Sequence, residues 1–481
     1  MTAPPLPAKR LPSTADPPVP TTAHGTPRDL RLSVLDGASH ATMVGFGESF
    51  TRAFAVHLGG SNFFLALLAS VPLALGALSQ LFTAALVRRF RSRHRVTWRC
   101  ALLQGLSWFA VIAALAAPAP WPFALLFAGV LLYWVGGLAG NPAWNSWMGD
   151  LVRAEDRAVY FGHRSRVCQA MAFLGLVGGG LLLQFFEDRR HPDSGFALIF
   201  MIAAAMRFVS VAFLYRINEP VPPPAAPSTL SFTSFLRQLL HQKHGSLVLY
   251  MACVNLALYA AAPYYAPYML RDMRLSFLEF AAVTGAAVAA KFLSLPLWGR
   301  LADRHGTHRM MKLAGLLLPV WPLLWVFATS LPQLIAIELC AGLFAAGFEI
   351  TTFTFLFELT TRGERLAIAA YSNILSGFGM ILGTLIGLWL ADSTLVAGMT
   401  YQGCFAASAV LRLMSVALLG RMKDVRIVEA LSARQMFLRF FSLSNRGPGG
   451  RPVIPDEPLP KPLDAGGDES SPVRARARAR R

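Results

Sequence analysis

Charge is scarce in this sequence. Of its 481 residues only 15% are Asp, Glu, Lys or Arg, against about 25% in an average soluble domain, while 54% are hydrophobic. A soluble fold of this length needs more charged surface than that. Cysteine is scarce as well: five residues, at 100, 168, 253, 340 and 404, an odd number with no two close together. This excludes a disulfide framework and a CxxC metal site, and leaves small apolar packing as their reading. Catalytic motifs are missing too. There is no GxxxxGK[ST] phosphate loop, no HExxH and no GxSxG, so the sequence points neither to an enzyme nor to an ATP-driven pump, and to no cofactor. The ten histidines are scattered, and His305 and His308 read as exposed loop residues rather than metal ligands.

What the sequence has in abundance is long apolar runs. A hydrocarbon core about 30 Å thick takes about 20 apolar residues as a helix. Twelve stretches qualify: 38–59, 62–87, 98–118, 122–149, 165–186, 195–217, 246–270, 276–299, 311–329, 331–357, 366–391 and 397–419. The first is the most polar, holding His40, Glu48, Arg52 and His57. Positive charge then sets the topology. With a cytoplasmic N-terminus, 36 of the 44 Lys and Arg fall on that side, counting Arg99, Arg166, Arg216 and Lys312 at the cytoplasmic ends of their spans, 4 (Arg189, Arg190, Arg271, Arg274) on the other, and 4 (Arg52, Arg207, Lys291, Arg412) deeper inside spans. This asymmetry places both termini in the cytoplasm, as in a multi-pass protein of the inner membrane. It also accounts for the net charge of +18 without nucleic acid as a partner.

Residues 1–34 are expected to form a disordered cytoplasmic N-terminus without a cleavable signal, and 35–217 a first six-helix bundle. A cytoplasmic linker (218–245), a second bundle (246–422) and an amphipathic segment with a disordered basic tail (423–481) follow. The stretches 230–240 and 425–441 read as amphipathic helices, lying either on the cytoplasmic leaflet or on the protein's own loops. The basic loops and the Arg-Ala tail suit anionic lipid headgroups; a simply solvated tail is the alternative.

The two halves repeat. At an offset of 205, Arg207-Phe-Val-Ser-Val-Ala-Phe-Leu-Tyr-Arg216 matches Arg412-Leu-Met-Ser-Val-Ala-Leu-Leu-Gly-Arg421. Near an offset of 208, Asp150-Leu-Val-Arg-Ala-Glu-Asp-Arg157 matches Glu358-Leu-Thr-Thr-Arg-Gly-Glu-Arg365, and Gly175 and Gly179 fall on Gly383 and Gly387. Matches in register require six spans per half, which supports the polar first span. The fold class is therefore all-α integral membrane, with twelve transmembrane helices in two pseudo-symmetric six-helix bundles, the architecture of a secondary transporter.

The loop after the eighth span, Gly299-Arg-Leu-Ala-Asp-Arg-His-Gly-Thr-His-Arg309, resembles the loop signature of the major facilitator superfamily, Gly-x-Leu-Ala-Asp-Arg-x-Gly-Arg-Lys. The stretch Asn141-Pro-Ala-Trp-Asn-Ser-Trp-Met-Gly-Asp150 resembles a bacterial branch of that superfamily defined by sequence rather than by substrate. The resemblance covers about 35–425. It implies that spans one, four, seven and ten line the solute cavity, that Gly299 and Gly306 allow close helix approach and a tight turn, and that Asp303, beside Arg304, locks the cytoplasmic side. The corresponding first-half loop departs from the pattern: Ala84 and Arg91 stand for the glycines and Arg88 for the aspartate.

A charge at mid-bilayer costs about 2.5–3.5 kcal/mol on insertion scales, so each one calls for a partner or an aqueous cavity. Glu48 and Arg52 are spaced i, i+4, which predicts mutual contact, either as a static ion pair or with Glu48 as a titratable site. Glu349, whose repeat partner is Asn141, reads as a second proton or cation site, and Lys291 as a cavity cation for an anionic solute or as a side chain snorkelling toward the cytoplasm. Asn145, with Trp144, reads as pocket lining; Asn255 and Tyr259 lie on the seventh span ahead of Pro263 and Pro267, which suit a hinge of the outer gate. Arg207 and Arg412 occupy equivalent positions and are expected to be structural, pairing with Asp150 and Glu358. The Asp150–Arg157 and Glu358–Arg365 sets read as cytoplasmic gate networks. Together these imply a proton-coupled secondary transporter of a small organic solute. A transporter-like membrane sensor or assembly protein is the alternative.

Overall fold

The computed structural model describes residues 25–153, 156–219, 232–239, 245–360, 365–392, 400–420 and 422. The expected tail 423–481, the stretch 425–441, most of the linker and the first 24 residues lie outside them.

In the first half, α1 (Pro27–Phe46) passes through a tight 3-10 turn (Glu48–Phe50) into α2 (Thr51–His57). Next come α3 (Asn62–Ser79), α4 (Thr83–Phe90), α5 (Arg93–Ala113), α6 (Trp121–Leu151), α7 (Arg157–Glu187) and α8 (Pro192–Arg216). The linker contributes α9 (Phe232–Gln238). The second half holds α10 (Gly245–Tyr259), α11 (Tyr265–Pro267) with a π turn (Tyr268–Asp272), α12 (Phe277–His305), α13 (Thr307–Leu317), α14 (Val320–Phe327), α15 (Leu331–Leu359), α16 (Arg365–Asp392) and α17 (Thr400–Leu419). Ten helices among the described residues are long and apolar enough to cross a membrane. The first and seventh spans complete the expected twelve as broken helices. The seventh breaks between Tyr259 and Tyr265, around Pro263, where a missing N–H and ring bulk interrupt the ladder.

The first helix begins eight residues inside the stretch expected to be disordered. Thr26 and Asp29 explain this: each caps the other's backbone N–H in a capping box, and Pro27 is pre-set for a first turn.

Packing follows the repeat. In the first half α1 lies on α7 and α8, α5 on α6 and α8, and α3 on α6. In the second, α10 lies on α16 and α17, α13 on α15, α14 on α17, and α12 on α15. The halves meet through two equivalent pairs, α3 with α16 and α7 with α12. Glycines set the closest crossings: a Cβ on Gly175 would press on Gly45 of α1, and one on Gly383 would strike the Leu256 carbonyl of α10. The repeat read at 175 and 383 is thus the same helix contact made twice. The linker helix rests on protein, since Phe235 is buried against the Tyr371 ring at 5.2 Å.

The two signature loops differ in backbone cost. Gly306 ends α12 with φ +88°, and at the matching first-half position Arg91 ends α4 with φ +51°. A side chain in this left-handed region costs about 1–2 kcal/mol. Arg91→Gly is therefore expected to raise stability by about 1 kcal/mol and Gly306→Ala to lower it by a similar amount. Thermal unfolding of the purified variants checks both, and equal melting points would contradict the assignment. Gly299 departs from expectation: it is mid-helix, and a Cβ there would meet only the Ile350 side chain at 3.7 Å, so it permits no close crossing.

Candidate solute cavity and its charge networks

A cavity of about 340 Å³ opens within the first half, walled by α1, α5, α6, α7 and α8. Its polar lining includes Asp36, Glu48, Asn141, Arg164 and Arg207, and its aromatic wall Tyr133, Trp134 and Trp144. Asp36 is only 3% exposed. The Ser210 hydroxyl donates to its Oδ1 at 2.7 Å, and Arg164 Nη2 lies 3.4 Å from its Oδ2. Arg207 Nη1 in turn donates to Ser210 at 2.7 Å, and the Arg164 guanidinium stands 4.6 Å above the Trp144 ring. One carboxylate thus answers two guanidinium groups, directly and through a hydroxyl.

This corrects two expectations. Arg207 does not pair with Asp150; it joins Asp36 and lines the cavity. Arg164, counted with a cytoplasmic loop, stands two turns inside α7, which outruns the apolar core at its charged end. Asp36 fell just outside the first span as drawn. The signal that could have found it was the Thr26-x-x-Asp29 capping box, which starts the helix before Asp36.

Glu48 lines the same cavity and accepts a hydrogen bond from the Tyr133 hydroxyl at 2.5 Å. Arg52 makes no direct ion pair with it, since the 3-10 turn at Glu48–Phe50 spoils the i, i+4 geometry, though the Arg52 charge still acts on Glu48. Arg52 Nη1 instead crosses to the second half and donates to the Ala262 carbonyl at 3.2 Å. Nearby, Arg271 donates to the Gly60 carbonyl at 2.6 Å, Asn62 to Asp392 at 3.3 Å, and Tyr401 to Asn62 at 3.1 Å. All of these cross-half bonds cluster at the end whose loops are poor in Lys and Arg. Phe50 against Phe280, at 6.2 Å between centroids, and Phe196 against Phe277, at 5.3 Å, add an apolar layer beneath them. Among the described residues no hydrogen bond joins the halves at the arginine-rich end.

In the second half Lys291 and Glu349 pair with each other at 2.5 Å, their side chains 35% and 62% exposed. They form a single wet ion pair rather than two separate sites. Asn145 donates to Asn141 at 3.1 Å. Asn255 donates to the Met251 carbonyl of its own helix, and Tyr259 lies within electrostatic reach of Glu48 and Arg52. Arg412 does not pair with Glu358 either; its Nη1 donates to the Leu318 carbonyl at 3.1 Å and its guanidinium lies 4.6 Å from the Trp321 ring centre.

The gate networks also differ from expectation. Asp150 pairs with Arg93 at 2.6 Å, whereas Arg157 donates to the carbonyls of Val152 and Gly149. Arg93 continues to Glu219, which also accepts from Ser92 Oγ and from the backbone N–H groups of Arg93 and His94. Glu358 accepts from Thr307 at 2.9 Å, and the side chain of Arg365 lies outside the described residues. Asp303 and Arg304 are exposed, and Asp303 makes no hydrogen bond or ion pair among the described residues. His305 and His308 are buried, not exposed, with His308 stacked on Phe355 at 5.1 Å.

Burial alone would push the Glu219 carboxyl up, but the hydrogen bonds from Ser92, Arg93 and His94 outweigh it and hold it below the ordinary carboxylate range. A group held down in the folded state stabilises above its unfolded pKa, about 4.3, and loses that contribution as pH falls through the folded value. Amides at the start of α5 are therefore expected to lose protection, measured against the unfolded-chain exchange rate at each pH, below about pH 4, with Glu219→Gln showing low protection already at neutral pH. Protection that is pH-independent and equal in both chains would contradict the clamp.

The family profile described as Major Facilitator Superfamily matches residues 41–267 and 247–455. Multidrug resistance protein 3 of Bacillus subtilis (strain 168) is 26% identical over 118 residues, 24% of this chain and 23% of that protein, so the match spans under a quarter of that relative's length. Multidrug resistance protein MdtG of Klebsiella pneumoniae (strain 342) is 25% identical over 363 residues, 73% of this chain and 83% of the relative. Among solved structures, the nucleoside transporter NupG superposes with a TM-score of 0.61 at 14% identity, covering 82% of this chain and 99% of that one. The D-xylose-proton symporter gives 0.61 at 16% identity, covering 82% and 96%. At such identities these structures share the fold.

Proposed function

Because this chain belongs to the major facilitator superfamily, we propose that it is a proton-coupled secondary transporter that moves a small organic solute through the first-half cavity. The observation that carries this reading is Glu48, a carboxylate on the cavity wall held by the Tyr133 hydroxyl, with the Arg52 charge acting on it but no direct ion pair among the described residues. Protonation removes a charge at that wall, so the energy of the state in which the wall faces each side changes with proton binding. The named relatives are multidrug resistance proteins, which supports drug-like organic molecules as the solute class. The aromatic wall of Tyr133, Trp134 and Trp144 suits the apolar part of such a solute.

By the positive-inside rule, the arginine-poor end is the outer face of the inner membrane. On this reading the cross-half bonds of Arg52, Asn62 and Arg271 close the outer end, and the solute enters the cavity from the cytoplasm. Reconstituted liposomes test the reading. With ethidium, a nucleoside and a pentose as probes, an imposed pH gradient is expected to drive flux of at least one of them, with matching proton movement. Flux of none of them, or flux indifferent to the gradient, would overturn it.

A further inference from the structure

Pro142 stands inside α6. A proline has no N–H to give to the carbonyl four residues back, so the carbonyl of Leu138 loses its helical donor. The next carbonyl, of Ala139, accepts from the Thr83 hydroxyl at 2.8 Å, whereas no side chain donates to that of Leu138 among the described residues. Leu138 lines the first-half cavity, and so does Asn141, one turn further along α6. Asn141 is exposed, and its Oδ1 already accepts from Asn145 at 3.1 Å. Its Nδ2 keeps hydrogens to give and has no acceptor among the described residues. A second free amide comes from α5. Gln104 lines the cavity at 3% exposure, and its Oε1 has no partner. It lies against Gly137, where a Cβ would come within 2.8 Å of its Nε2. That glycine makes room for the amide one turn before Asn141.

The charges around these groups are already answered. Asp36 balances Arg164 and Arg207, and Glu48 accepts from Tyr133. Once Glu48 is protonated, a charged solute finds no free counter-ion on this wall. What stays open is a carbonyl acceptor beside an amide donor, with Tyr133 and Trp144 lining the same cavity. We infer that the solute is an uncharged planar heterocycle with a lactam edge, an N–H and a C=O side by side. Its N–H donates to the Leu138 carbonyl, its C=O accepts from Asn141 Nδ2, and its ring lies on the aromatic wall. Gln104 Oε1 offers a further acceptor. The cavity, about 340 Å³, falls within the range of about 300–1,000 Å³ typical of small-molecule sites. This inference rests on the reading of that cavity as the proton-coupled solute site and narrows the solute class.

The test uses the full chain in liposomes, with uridine as the nucleoside. Uridine carries the lactam edge, and 3-methyluridine differs only by a methyl group on the donor nitrogen. Uridine is expected to move with the proton gradient, and 3-methyluridine to compete with it about tenfold more weakly. Pro142→Ala restores the helical N–H, which then occupies the Leu138 carbonyl. It is expected to raise the melting temperature, to weaken uridine about fivefold and to leave 3-methyluridine unchanged. Equal competition by the two compounds would overturn the inference. So would a Pro142→Ala chain that takes uridine as well as the parent does. Gradient-driven flux of ethidium or the pentose without uridine would also overturn it, and would leave the proton-coupled reading standing. Flux of none of the three would overturn both.

Discussion

Asp36→Ala is expected to lower the stability of the purified protein by about 3–5 kcal/mol. The carboxylate is buried, and its removal leaves Arg164 and Arg207 without their shared counter-charge. Losing the favourable pairing is the smaller part of the cost. The larger part is a buried guanidinium left without its counter-charge, since among the described residues Ser210 is the one side-chain partner of Arg207 and its Nε has none. The double variant Asp36→Ala/Arg207→Met removes the stranded charge with its partner and is expected to recover more than half of the loss. Thermal unfolding with and without the second substitution measures this coupling directly. Additive losses in the double variant would mean that the two residues do not share a network.

The second large effect is functional. Glu48→Gln keeps the shape of the side chain and still offers an oxygen to the Tyr133 hydroxyl, so folding is expected to survive. A residue that can no longer change charge cannot pass proton free energy to the solute. Flux driven by a pH gradient is expected to fall to that of protein-free liposomes, while solute exchange without a gradient continues. Gradient-driven flux that persists in Glu48→Gln would move the coupling site elsewhere, with the exposed Lys291–Glu349 pair the next group to vary.

The architecture was largely legible in the sequence because it follows from coarse quantities. Apolar length gives the spans, and the matches at Arg207/Arg412 and Gly175/Gly383 give the repeat. The candidate site was legible only in part. Glu48 and Asn141 were foreseen and share one cavity. Asp36 and Arg164 were not, because both lie where a helix extends beyond its apolar stretch, and a charge there reads as loop. Arg52 acts on Glu48 through its charge, but its hydrogen bond goes to Ala262 instead, because periodicity assumes an unbroken helix and a 3-10 turn follows Gly47. The cross-half bonds of Arg52, Asn62 and Arg271 join residues 210 to 339 positions apart, a juxtaposition no local pattern encodes.

The central claim is that the first-half cavity is the solute site, reached in this state from the arginine-rich face. Sided labelling of Asn141, an exposed cavity residue, tests it most directly. In a chain whose five cysteines are replaced by alanine, Asn141→Cys is expected to react with a membrane-impermeant maleimide in inside-out vesicles, to be protected there by a transported solute, and to react far more slowly in right-side-out vesicles. Faster labelling from the outside, or labelling that no transported solute slows, would contradict the account.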